Sequence, residues 1–197
     1  MASFECIAAA GKSIERLLSA CFLEAPVPVS GKTTKAILVR TEDFKTATST
    51  IQPPALSVFM YRVDFNKTTR AAWSAVGSLD GRAHLPLDLH FLITPWADDA
   101  EIEERILGRA MQCLETTPIL SGPLLSVSGT WAPNEAVHLT IDDLSTEAVM
   151  RMFDSLPTDY KLSVPYLARI VRLDGRRVAG SPEVTALIDG MIPSATP

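Results

Sequence analysis

The feature that most constrains the fold is the run from Leu85 to Trp96 (LPLDLHFLITPW), in which nearly every side chain is apolar. In a strand, side chains alternate between the two faces of the sheet. One face of this run then carries Leu85, Leu87, Leu89, Phe91 and Ile93, and the other carries Pro86, Asp88, His90, Leu92, Thr94 and Trp96. The first set is apolar throughout. We therefore predict a strand whose first set lies in the hydrophobic core.

The second face raises a question of chemistry, because Asp88 and His90 lie about 7 Å apart at Cα by strand geometry. A reactive pair at this distance still needs a nucleophile or a third ligand from elsewhere in the chain. The other histidines, His84 and His138, have no spacing that indicates convergence. Two interpretations stay open: a small metal-dependent or hydrolytic enzyme that uses Asp88 and His90, or a satisfied polar pair, the more frequent case.

The remaining segments predict a mixed α and β domain. Apolar side chains at three- and four-residue steps indicate an amphipathic helix from Ser3 to about Phe22. A second helix begins with Asp98 as its N-cap, and a short third helix is capped by Ser145. Alternating segments predict strands, which read AILVR, ALSVFMYRVDF, LPLDLHFLITPW, VHLTID and YKLSVPYLARIVRLDGRRV. Pro165 favours an edge position or a bulge for the last strand. This order predicts an α+β fold.

The chain is long enough for one domain with a hydrophobic core of its own. We place that domain at residues 1–175. Prolines, glycines and threonines predict a mobile loop at about 23–54, and the residues after Gly175 predict a C-terminal tail at 176–197. The start of the sequence has Glu5 before any basic residue and only a short apolar run, which fits neither a signal peptide nor a membrane span.

Composition argues against several classes of ligand. The net charge is −5 and the charged residues are interspersed, so we expect no nucleic-acid partner. The three cysteines, Cys6, Cys21 and Cys113, are widely spaced and form no CxxC pair, which is typical of buried thiols in a reducing compartment. We therefore expect no metal, no cofactor and no membrane partner, and a cytoplasmic location.

Familiar catalytic and phosphate-binding motifs are missing from the sequence. The runs GKS at Gly11 and GKT at Gly31 resemble the end of a phosphate-binding loop, but neither has the required glycine five residues earlier. No GxSxG or HExxH motif occurs. Trp73, Trp96 and Trp131 stand next to turns or strand ends, where indoles often face a partner. These observations favour a role in structure or assembly, and an adaptor module of a multiprotein complex stays open as an alternative to an enzyme.

Three blocks, residues 53–66, 85–122 and 137–174, together resemble the Pvc16-type family of tail terminator or cap proteins from extracellular contractile injection systems. The motifs that carry the resemblance are Met60-Tyr61-Arg62, Leu87-Asp88-Leu89-His90-Phe91-Leu92, Thr117-Pro118-Ile119-Leu120-Ser121-Gly122 and Ser163-Val164-Pro165-Tyr166. The signature residues, for which the resemblance implies a structural part, are Tyr61, Arg62, Asp88, His90, Pro118, Gly122, Ser163 and Tyr166.

The resemblance implies a fold like that of phage tail terminators, with a single mixed, largely antiparallel β-sheet flanked by helices. It implies a structural protein, not an enzyme, that forms a homohexameric ring. The expected partners are the inner tube protein and the sheath protein. The ring would end polymerisation of both and hold the sheath extended. Assembly is expected in the cytoplasm, as part of a phage tail-like particle.

Overall fold

The structure, a computed structural model, describes residues 4–27, 32–45, 50–70 and 83–175. The predictions for Trp73 and for the tail at 176–197 lie outside these residues. The helices are α1 (Cys6–Glu24), α2 (Lys67–Arg70), α3 (Ala100–Thr116) and α4 (Thr146–Asp154), with 3-10 turns at Thr41–Phe44, Gly122–Leu124 and Val127–Gly129. The strands are β1 (Lys35–Val39), β2 (Ala55–Phe65), β3 (His84–Trp96), β4 (Ile119–Ser121), β5 (Ala136–Ile141) and β6 (Val164–Asp174).

The strands form one six-stranded sheet in the order β1-β2-β3-β6-β5-β4. Only β1 and β2 pair in parallel, and the other neighbours are antiparallel. The prediction of a single mixed, largely antiparallel sheet flanked by helices is confirmed. Part of the predicted loop at 23–54 is regular structure, because β1 and the first 3-10 turn lie within it.

The expected edge position of β6 is wrong, since β6 pairs with β3 on one side and β5 on the other. The alternative, a bulge, does occur in β6, but at residues 169–170 and not at Pro165. A proline is tolerated at position 165 of this central strand because β5 ends at Ile141, before it reaches Pro165. The carbonyl oxygen of Pro165 accepts a hydrogen bond from the Asp142 N–H at 3.0 Å, and N–H and C=O of one strand residue point to the same side. The missing N–H of Pro165 therefore faces a region beyond Ile141, the last residue of β5.

Both faces of the sheet carry a hydrophobic core. The first face packs under α1 and α3 and contains the first set of β3 side chains: Leu87, Leu89, Phe91 and Ile93 are buried and Leu85 is partly buried. That prediction is confirmed. The second face packs under α4 and the 3-10 turn at Thr41–Phe44, and its core is smaller. Full burial of a side chain such as Phe91 contributes about 1.5–3 kcal/mol.

The starts of α3 and α4 follow capping rules. The Ser145 side chain accepts a hydrogen bond from the Ala148 N–H at 3.2 Å, which confirms the predicted cap of α4. The N-cap of α3 is Asp99 rather than Asp98: its carboxylate accepts from the N–H groups of Glu101 and Ile102. Two adjacent aspartates made the position ambiguous by one residue. None of the helices in the described part of the chain is long and apolar enough to cross a bilayer.

Candidate functional site

A bulge in β2 brings Tyr61 and Arg62 to the second face of the sheet. Met60 pairs with Phe91 of β3, and Arg62 pairs with the next residue along, His90, so that Tyr61 is an extra residue in β2. A bulge of this kind breaks the alternation and lets two successive side chains lie near one face. Tyr61 packs against the second core, and Arg62 forms an ion pair with Asp64.

His90 lies between two carboxylates. Its Nδ1 is 2.6 Å from Oδ2 of Asp142, which follows β5, and its Nε2 is 3.5 Å from Oδ2 of Asp64 in β2. The second contact is electrostatic, because Nε2 is buried without a hydrogen bond among the described residues. Only 6% of His90 is exposed. The imidazole therefore joins β2, β3 and the segment after β5 inside the fold.

Tyr61 completes this cluster at Asp142. Its hydroxyl donates to the same Oδ2 atom at 3.0 Å, and its ring centroid lies 5.9 Å from that of His90. Burial, followed by the hydrogen bond to Asp142, raises the pKa of the Tyr61 phenol well above its ordinary value. Arg62, on the solvent side, lowers the pKa of Asp64. We call Tyr61, Arg62, Asp64, His90 and Asp142 the polar cluster.

Asp88 bonds elsewhere, although it follows the same alternation as His90. Both of its carboxylate oxygens accept from Nδ2 of Asn66, at 3.3 and 3.1 Å. The Asn66 side-chain oxygen accepts in turn from the N–H and the hydroxyl of Thr69, so this asparagine caps the start of α2. Asp88 thus fixes the turn that leaves β2, and the structure shows no direct hydrogen bond between Asp88 and His90 among its described contacts.

The other signature residues are dispersed over the fold. The carbonyl of Pro118 accepts from the Leu139 N–H at 2.7 Å, next to the pairing of β4 with β5. Gly122 has φ of 52°, a left-handed conformation that favours glycine. Ser163 shares a 2.8 Å hydrogen bond with the Thr94 hydroxyl. Tyr166 is buried on the first face, opposite Phe91. Each of these four positions fixes backbone or core geometry.

Two of the three tryptophans fall within the described residues. The Trp96 indole N–H donates to the Ser57 hydroxyl at 2.9 Å, and the Lys161 ammonium lies 5.3 Å from the ring centroid. The Trp131 N–H donates to the Ser126 carbonyl at 2.8 Å. Both rings are half-buried. Their role in partner contact stays a prediction.

The contacts of the polar cluster lie within the subunit. Every polar atom described above for Tyr61 and His90 points at a group of the same chain, and His90 is nearly inaccessible to solvent. Across the residues that the structure describes, no three His, Cys, Asp or Glu side chains are grouped so as to hold a metal ion. His84 lies apart from His90 and pairs with Asp174 at 2.5 Å.

Sequence reasoning missed Asp64, Asn66 and Asp142. Asp142 continues the polar side of the alternation in VHLTID, so its face was visible in the sequence. The sequence did not show that Asp142 contacts His90, because this contact requires β6 to lie between β3 and β5. Asp64 and Asn66 stand two and four residues after Arg62, and the bulge at Tyr61 decides which of them faces His90.

The comparisons with known proteins agree on one kind of protein. The family model described as the Pvc16 N-terminal domain matches residues 10–186. One solved structure with a similar fold is the sheath/tube terminator, in its extended state, of PVC, an extracellular contractile injection system: TM-score 0.55 at 16% identity, over 94% of this chain and 64% of that one. Another is the tube-terminating cap of the anti-feeding prophage: TM-score 0.56 at 15% identity, over 93% of this chain and 60% of that one.

The family model and the solved structures support different conclusions. The family model matches most of the chain by sequence. At such low identity, the two solved structures show a shared fold. The chain spans about three fifths of the length of the solved chains that it matches. No curated protein matches the sequence.

Proposed function

Since the chain belongs to the Pvc16 N-terminal domain family, we propose that it is a structural terminator of a contractile injection particle and not an enzyme. In this proposal copies of the chain form a homohexameric ring on the end of the inner tube. The ring stops addition of further tube and sheath subunits and holds the last sheath layer extended. The partners are thus the chain itself, the tube protein and the sheath protein.

The observation that carries this proposal is the large share of the chain that has the same fold as known terminator proteins. More than nine tenths of the chain superimposes on two proteins whose described role is to terminate a tube. Family membership rests on the sequence, so it supports the same role independently of the fold. Fold alone is weak support for function, because one fold serves many functions. Agreement between the two is stronger.

The polar cluster supports a structural role for the signature motifs. His90 is buried and held by Asp142, and Asp88 is held by Asn66, so neither side chain is placed to receive a substrate. We propose that these residues keep the subunit rigid enough to stack in a ring. Closed rings of identical subunits require each copy to present the same geometry to its neighbours.

Contact with partners is proposed for four parts of the chain. The half-buried rings of Trp96 and Trp131 have their N–H groups bonded within the subunit, which leaves ring surface for a partner. The segment 23–54 and the tail at 176–197 stay our candidates for contacts with tube and sheath. The tail and parts of that segment lie outside the described residues.

Deletion of the gene tests the terminator role in the particle itself. We expect particles of irregular length that lack the cap when purified particles are imaged by electron microscopy, with recovery when the wild-type chain is supplied. Six-fold symmetric density for the chain at the capped end would support the ring. Particles of normal length with intact caps in the deletion strain would contradict the proposal.

Asp88→Asn separates structure from catalysis. Asparagine keeps an oxygen that accepts from Asn66, so the turn after β2 is retained, whereas a catalytic carboxylate would be lost. We expect Asp88→Asn to restore capped particles as well as the wild-type chain does. A soluble, folded Asp88→Asn protein that fails to restore caps would argue for chemistry at this position.

A further inference from the structure

Two of the three cysteines meet where α1 packs on α3. Cys21 and Cys113 line one small cavity together with Leu17 and Arg109. The contacts around them show that the two helices run antiparallel: Arg109 donates to the Cys21 carbonyl at 3.2 Å, and Cys113 Sγ lies 3.9 Å from the Leu17 carbonyl oxygen. The two cysteines therefore lie within about one helical turn of each other at this interface.

A cavity reaches this pair from the surface. Its volume is about 280 Å³, and its wall includes Cys21, Cys113 and Arg109. Cys21 is half-buried, whereas Cys113 is 4% exposed. The third cysteine, Cys6, is fully buried in the core under α1 and does not line the cavity. A small reagent therefore meets Cys21 first.

We propose that Cys21 and Cys113 are a dithiol that forms an intramolecular disulfide when the protein meets a low-molecular-weight disulfide such as oxidised glutathione. The Cys21 thiolate attacks one sulfur of the reagent, forms a mixed disulfide and releases one reduced glutathione. Cys113 then loses its proton to solvent and attacks Cys21 Sγ. The protein disulfide forms and the second glutathione leaves, so two thiols are oxidised and one disulfide is reduced.

The second step is the slow one. Burial, followed by the neighbouring Cys21 thiol, raises the pKa of the Cys113 thiol to about 12, although Arg109 acts in the opposite direction. Since the thiolate is the nucleophile, closure should speed up about tenfold per pH unit through the neutral and mildly alkaline range. The pair would stay reduced in a thiol-rich compartment and close in oxidising surroundings.

Closure would join α1 to α3 covalently on the first face of the sheet. The disulfide would close a loop of about 90 residues, and restriction of the unfolded chain over such a loop should raise Tm by about 10 °C. This inference depends only on the thiol pair, so it stands whether or not the protein is a terminator.

The experiment uses the full chain, which contains only three cysteines. The reduced protein is incubated with oxidised glutathione at several pH values, and free thiols are then counted after denaturation. We expect the count to fall from three to one, a Cys21–Cys113 peptide in a non-reducing digest, and a higher Tm. Cys6→Ser is the matched control and should oxidise like the wild type, whereas Cys21→Ser should retain both of its thiols.

Other outcomes would overturn the inference. These are three thiols that persist after long exposure, a stable glutathione adduct on Cys21 beside a free Cys113, dimers linked through Cys21, or a disulfide that involves Cys6. The peptide map of the wild-type chain decides between them even if a serine variant fails to fold.

Discussion

Tyr61→Phe tests whether the polar cluster stabilises the fold. The substitution keeps the ring, which packs against the second core, and removes only the hydroxyl that donates to Asp142 at 3.0 Å. A hydrogen bond to a charged group contributes about 1.5–3 kcal/mol. Because the Asp142 oxygen keeps His90 as a second partner at 2.6 Å, we expect a loss of about 1–2 kcal/mol at neutral pH and a Tm lower by about 2–8 °C.

The pH dependence gives this prediction a second readout. The pKa of Tyr61 is raised in the folded state above the ordinary phenol value of 10.0. At a pH between the pKa of the unfolded chain and the higher pKa of the folded chain, Tyr61 has lost its proton in the unfolded chain but keeps it in the folded chain. The folded state therefore loses stability as pH rises above about 10. The slope for one such group is at most about 1.4 kcal/mol per pH unit. Tyr61→Phe should therefore lose stability less steeply than the wild type in alkaline solution, and the two curves should converge.

The wild-type curve will contain other contributions in that range. Burial also raises the pKa of the Tyr166 phenol, and it raises the pKa of Cys6 to about 11. These groups are unchanged in Tyr61→Phe, so the difference between the two proteins isolates one proton. The assay is urea unfolding followed by tryptophan fluorescence at pH 7 to 10.5, with the change read from Cm at constant m.

Tyr160→Phe is the matched control. Tyr160 is 46% exposed and its ring packs edge-on against Phe153, so loss of its hydroxyl should change stability by less than about 0.5 kcal/mol. Two results would refute the reasoning: equal costs for Tyr61→Phe and Tyr160→Phe at neutral pH, or parallel alkaline curves for Tyr61→Phe and the wild type. Either would mean that Asp142 is satisfied without Tyr61.

Two further substitutions test the backbone and the helix contact by urea unfolding. Gly122→Ala should lower the free energy of unfolding by about 1–2 kcal/mol because Gly122 has φ of 52°. Gly108 lies in the exposed middle of α3 with no atom within 4 Å of an added Cβ, so Gly108→Ala should raise the free energy of unfolding by about 0.5–1 kcal/mol. Destabilisation by both substitutions would contradict this reasoning. The buried Ser126 N–H donates to the Ser13 hydroxyl at 2.7 Å. Ser13→Ala leaves this N–H without a partner and should lower the free energy of unfolding by about 1–3 kcal/mol. An equal loss for the control Ser19→Ala, on the same helix, would contradict this prediction.

Alternation and capping predicted most of the elements. β2 was expected from ALSVFMYRVDF and occupies the same residues, Ala55–Phe65. The same rule placed Leu89 and Phe91 in the core, where both are buried. These predictions succeeded because burial on one face requires only the local period of the strand. The fold class followed from the order of the elements.

Interactions between distant segments could not be predicted in this way. The bulge at Tyr61 shifts the pairing of β2 with β3 by one residue, and no local pattern indicates it. Pro165 suggested an edge strand because the sequence does not show that β5 ends before reaching it. Asp142 reaches His90 only because β6 lies between β3 and β5. Strand order, bulges and strand ends are tertiary properties, and these three decide the polar cluster.

The position of the polar cluster explains why polar residues interrupt an apolar strand. Along the second face, β3 passes from Leu92, which is buried in the second core, to Asp88, which is half-buried. His90 stands at this boundary. An apolar residue in place of His90 would leave the carboxylate of Asp142 without its 2.6 Å partner. A residue whose side chain pointed fully into solvent would expose the end of the second core to water. A buried histidine held by aspartate and tyrosine closes the core while keeping three segments in register. The Leu-Asp-Leu-His motif therefore lies where the second core ends and the strand becomes half-buried.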